Sequence, residues 1–99
     1  MQLELNEVYS IKISNGDELV AKVVADNDDT ITVSSPLTVV PGRDGIQLMP
    51  SLFTADLDAF VTVNKTNISM FAGVRDQVRD SYIESTTGIA PIRKQIITG

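Results

Sequence analysis

Few side chains in this chain could do chemistry, and those that could are clustered. Asp26, Asn27, Asp28 and Asp29 form one acidic run. A second group, Asn64, Lys65, Thr66 and Asn67, sets one cation among amides and a hydroxyl, and Asp56 and Asp58 stand two residues apart between them. The first run offers oxygen ligands to a hard cation, but it lacks the glycine and the distant bidentate glutamate of a calcium-binding loop. It therefore reads as an ordinary Asp/Asn turn, and no metal or other cofactor is expected. Asp56 and Asp58 have the types of an acid/base pair but lie in an irregular stretch with no environment to raise a carboxyl pKa. The chain has no histidine and no cysteine. That removes Ser-His-Asp and Cys-His nucleophiles, thiolate and His-bearing zinc sites, and disulfides. We expect a protein that assembles and binds rather than an enzyme.

The net charge of -5 comes from 13 acids against 8 cations, and the cations are scattered. Affinity for a polyanion grows with the number of cations brought to its backbone. A nucleic-acid site must therefore be local, or be built by repeating one subunit's few cations around an oligomer. Lys65 by itself reads as a solvated turn residue.

The elements that would position these groups follow from periodicity. Ninety-nine residues, 42% of them hydrophobic and 5% aromatic, are enough for one domain (1-99) with an aliphatic core. From Val8 to Ser14 residues alternate, with Tyr9, Ile11 and Ile13 on one face. Asn15-Gly16 suits a tight turn, and Leu19, Ala21, Val23 and Ala25 continue the apolar face opposite Val20, Lys22 and Val24. After the acidic turn, Thr30 to Val40 is a β-branched strand with Ile31 and Val33 inward and a bend or bulge at Pro36. Ile46 to Met49 reads as strand, Ser51 to Ala59 as an irregular excursion, and Phe60 to Val63 with Ile68 to Phe71 as the last hairpin. Five strands with short loops is the layout of a small barrel. Val74, Val78 and Tyr82 then recur every four residues, so 74-85 is expected to form a short helix ended by Gly88, with Asp76 and Arg79 paired outside. Residues 89-99 form an apolar tail with Ile89, Ile92, Ile96 and Ile97, expected to dock on its own domain or on a neighbour. The N-terminus has neither a basic leader nor an apolar run, and no stretch approaches the roughly 20 apolar residues that span a bilayer. A cytoplasmic location with no membrane partner is the expectation.

The order of these features resembles the Sm-like (LSm) family. Asn15-Gly16, the small Ala21, and Asp26, Ile31 and Val33 fit its first motif, although Thr30 stands where the family has a base-contacting Asn and Asp29 replaces an apolar residue. The family's Arg-Gly before the last strand is missing. Val63, Lys65, Ile68 and Ser69 instead match the bacterial Sm-like RNA chaperones, and Pro36-Leu37, Gly45 to Pro50 and Thr87-Gly88-Ile89 are similar to small Sm-like proteins of marine phages. The resemblance covers Val8 to Phe71. It implies a mostly β, five-stranded, bent Sm-like or SH3-like barrel (8-71) with a short C-terminal helix. It also implies a homo-oligomeric ring, pentamer to heptamer, closed by strand pairing through the Ile68 to Phe71 region. It further implies a pore where Asp26, Thr30, Asn64, Lys65 and Asn67 meet single-stranded RNA, as a chaperone or scaffold. The carboxylates at Asp26, Asp28 and Asp29 oppose phosphate within a Debye length of about 8 Å at physiological salt, so a structural or protein-interaction ring without an RNA site is the alternative.

Overall fold

The structure is a computed structural model that describes residues 2-56 and 58-88. Six antiparallel strands and one helix follow in the order β1 (Glu7–Ile13), β2 (Glu18–Asp26), β3 (Thr30–Gly42), β4 (Gly45–Pro50), β5 (Phe60–Asn64), β6 (Ile68–Gly73) and α1 (Asp76–Thr87). The strands number six rather than five, one for each extended stretch read from the sequence, and α1 has the expected length but is shifted two residues toward the C-terminus from the expected 74-85. The expected apolar tail, 89-99, lies outside the described residues, as does Leu57 in the excursion before β5.

β1 and β2 close through the expected turn, with Tyr9 opposite Ala21 and Ile11 opposite Leu19. Gly16 sits at φ 100°, which its missing Cβ makes inexpensive, and its N–H reaches the Ile13 carbonyl at 2.9 Å. β6 pairs with β1 on the other side, with a register shift at Lys12/Ile13. β2 pairs with β3 over most of its length. The second edge of β3 is shared: Thr30 to Ser34 pair with β5, and Leu37 to Gly42 pair with β4.

That sharing depends on a bulge. Val20 pairs with Leu37 and Lys22 with Ser34, so Ser35 and Pro36 together face Ala21. Ser35 takes φ 50°, the left-handed region. One extra residue reverses the side-chain parity of a strand. Before the bulge, Ile31 and Val33 point into a core with Ile11, Ala21 and Val23; after it, Leu37 points to the opposite face, where it joins Val8, Val20 and Tyr82. The sheet therefore has two buried faces. Val20, read as an outward residue, is 1% exposed because α1 lies over it with Val74, Val78 and Ile83.

The helix is attached at the bulge itself. The Tyr82 hydroxyl donates to the Ser34 carbonyl at 2.7 Å and accepts the Lys22 N–H at 3.2 Å, bridging the two strands where their register breaks. Gly88, at φ 76°, ends the helix with its N–H on the Glu84 carbonyl. The exposed cation Arg79 approaches Glu7 at 3.8 Å, a contact across elements that periodicity within the helix does not disclose. No described helix is long and apolar enough to cross a membrane.

Burial raises the Tyr82 pKa, and the contacts with Lys22 and Ser35 lower it by less. Below pH 10 the phenol is protonated in both the folded and the unfolded chain and adds no slope. Above the unfolded value of about 10, the unfolded chain releases a proton that the folded chain keeps, so stability falls as pH rises. Chemical denaturation is expected to give a flat stability from pH 7 to 9, then a decline that is absent in Tyr82→Phe. At neutral pH that variant is expected to lose about 1 kcal/mol, because it removes one partner from each of two partly buried backbone groups.

Candidate functional site

The turn between β2 and β3 and the 3-10 turn Lys65–Asn67 between β5 and β6 meet at one end of the sheet. Strand register brings them together. β5 pairs with β3 so that Thr30 faces Asn64 and Ile31 faces Val63, and the next residue, Lys65, donates its N–H to the Asp29 carbonyl at 2.9 Å. The β2–β3 turn is closed by Asn27, whose N–H reaches the Thr30 carbonyl at 2.9 Å and whose side-chain amide reaches the Thr30 hydroxyl at 3.4 Å. Thr30 Oγ1, the atom expected to face a base, is thus already a partner within its own turn.

Lys65 is the centre of this arrangement. Its Nζ lies 2.6 Å from Asp26 Oδ1, and it also donates to the Asn27 carbonyl. The two side chains are 22% and 25% exposed. Far from being a free turn cation, Lys65 clamps one turn to the other, and its charge is matched by a carboxylate at contact distance. Asp28 and Asp29 stand exposed in the same turn, so the patch as a whole is anionic.

Four of the five residues expected at a site, Asp26, Thr30, Asn64 and Lys65, are therefore neighbours. Asn67 lies at the far end of the 3-10 turn, where its carbonyl accepts both the N–H of Ser14, at 2.7 Å, and the Ser14 hydroxyl, at 2.9 Å. This ties the β1–β2 turn to the same end of the sheet. Asn64 and Asn67 are exposed, and they are the residues best able to offer amides to a ligand. Asn27 acts as the Asp/Asn turn suggests, bonding locally, whereas nothing in the sequence pointed to Ser14, whose backbone and side-chain contacts reach Asn67. Among the described residues no three acids converge to hold a cation.

No protein-family model matches the chain, and no curated protein matches it either.

A clamp of this kind makes a measurable contribution. Lys65→Met and Asp26→Asn are each expected to cost about 1 kcal/mol, near the upper end for a partly exposed pair. The double variant is expected to lose no more than the larger single loss, since one interaction is removed twice. Denaturant titrations of the four proteins measure this coupling, and it should weaken between low and high salt.

Proposed function

We propose that this protein is a ring-forming scaffold of the Sm-like kind, acting by self-assembly and protein contact rather than by catalysis or by general affinity for RNA. The Lys65–Asp26 pair carries this choice over the RNA-binding alternative. The cation that would line an RNA-binding pore is neutralised within its own subunit, and it sits beside the exposed carboxylates of Asp28 and Asp29. Repeated around a ring, the turns present net negative charge, which repels a phosphate backbone. Exposed Asn64 and Asn67 retain the capacity to bond neutral or cationic polar groups of a partner.

Support for assembly comes from β5 and β6. Each pairs along one edge only among the described residues, β5 with β3 and β6 with β1. An unpaired edge is a template for another strand unless it is blunted by charge, proline or cover. Phe60 on β5 is 72% exposed and Met70 on β6 is 66% exposed. No Lys, Arg, Asp, Glu or Pro lies within Phe60–Asn64 or Ile68–Gly73. Pairing β5 of one copy with β6 of the next is a head-to-tail contact, which closes into a ring when the rotation per subunit divides the circle. Five to seven copies are the expectation carried by the family resemblance.

Light scattering is expected to give a multiple of the 10.7 kDa chain mass, reduced to the single-chain mass by Phe60→Asp and by Met70→Lys with unchanged far-ultraviolet circular dichroism. Fluorescence anisotropy with U-rich and A-rich single strands is expected to show no salt-sensitive binding. A monomeric parent protein overturns the scaffold. Salt-sensitive RNA binding that disappears in Lys65→Met restores the RNA-binding reading in its place.

A further inference from the structure

The outer face of the sheet is only partly covered by α1. Beside the N-terminal half of the helix an open groove of about 600 Å³ runs between α1 and β4, floored by Val20 and Val39 and walled by Ile46, Leu48, Val74 and Val78. Its size falls in the roughly 300–1,000 Å³ range of real binding clefts. Ile46 is 53% exposed on its wall, and the groove continues the second core, in which Val39, Leu48, Val74 and Val78 already pack around Val20 and Leu37.

We propose that this groove is the docking site for the chain's own residues 89-99. Three observations on the molecule favour that occupant. The first is reach. The segment starts at Gly88, at the C-terminal end of a 12-residue helix that is about 18 Å long at 1.5 Å per residue. Eleven residues extend to about 36 Å at 3.3 Å each, enough to return along the whole helix. Gly88 in the left-handed conformation stops α1 there, so the chain is free to change direction.

The second is apolar content. Ile89, Ile92, Ile96 and Ile97 fall within these residues, and an aliphatic cleft beside a core removes such side chains from water. The third is charge. The segment holds Arg93 and Lys94 and no acid, so its two positive charges leave six cations against 13 acids, net -7, on the rest of the chain. Glu18 stands on the groove rim, held by the Ser10 hydroxyl at 3.1 Å, with Arg75 on the rim as the one opposing charge. Docked in this way, the segment would cover the exposed wall of β4 and complete the second core from outside. The groove meets only the end of β6, at Ala72 and Gly73, and neither Phe60 nor Met70 lines it, so its occupancy is read separately from ring formation.

A spin label tests it, since the chain has no cysteine to compete for the reagent. Gln47 is exposed on β4 and does not line the groove, so Gln47→Cys carries the label without filling the site. In uniformly nitrogen-15-labelled, spin-labelled protein, the amide signals of residues 92-97 are expected to broaden and to recover on reduction of the label. In a mixture of isotope-labelled chains without the spin label and spin-labelled chains without the isotope, they are expected to stay sharp. Adding Ile46→Glu, a change at an exposed position, is expected to abolish the broadening while the β1 and β2 signals keep their positions. No broadening in the first sample overturns the proposal. Broadening in the mixture assigns the groove to a neighbour's segment and overturns it as well, and broadening that persists with Ile46→Glu places the segment outside the groove.

Discussion

The Tyr82 hydroxyl, held between the Lys22 N–H and the Ser34 carbonyl, is the contact on which the rest of the fold depends. A bulge costs a sheet some of its ladder, and Ser35–Pro36 costs this sheet the register of its two longest strands at their centre. Pro36 has no N–H to give, and Ser35 is fixed at positive φ. A phenol that both donates and accepts can replace the missing ladder step with no charge and little side-chain entropy. The helix is thus tied to the one point where the sheet most needs a partner, and the burial of Val8, Val20 and Leu37 follows from where that tie holds it.

The same bulge explains how 99 residues support two cores. Without it, β3 would keep one parity throughout, and Leu37 would share a face with Ile31 and Val33. With it, one strand serves the first core at its beginning and the helix-covered face at its end, and its second edge is divided between β5 and β4. Among the described residues β4 and β5 pair with β3 alone, so each keeps one unpaired edge, as does β6, which pairs with β1 alone.

What the sequence disclosed and what it withheld divide along contact range. The Asn15-Gly16 hairpin, the inward Tyr9, Ile11 and Ile13, and the helix with Val78 and Tyr82 on one side, preceded by Val74 in the same cluster, were legible because each is written within a few residues. Pro36 announced a bend, but the change of face that follows it depends on pairing with Ala21, and so Val20 was read as outward. Ile46 to Met49 was legible as a strand, but the division of the second edge of β3 between it and β5 was not, because that depends on pairing between distant residues. At the turns, the opposition of Lys65 to the Asp26–Asp29 run was visible as a balance of charge. That Lys65 touches Asp26 was not, because 38 residues lie between them in the chain and only the Thr30–Asn64 register brings them together.

Where Lys65 goes decides what the turns can do. A lysine at a β-turn has long reach and is ordinarily solvated, so it is available to any anion that approaches. Here the β3–β5 ladder delivers its backbone to Asp29 and its ammonium to Asp26 and the Asn27 carbonyl, and a phosphate would have to displace a carboxylate already at 2.6 Å. Displacement exposes Asp26 beside Asp28 and Asp29, so each phosphate bound would free a like charge next to itself. In the proposed ring that penalty would recur in every subunit, whereas neutral amides at Asn64 and Asn67 carry no such cost. On the proposed reading, this end of the sheet therefore suits polar or cationic groups of a protein partner better than a nucleic-acid backbone.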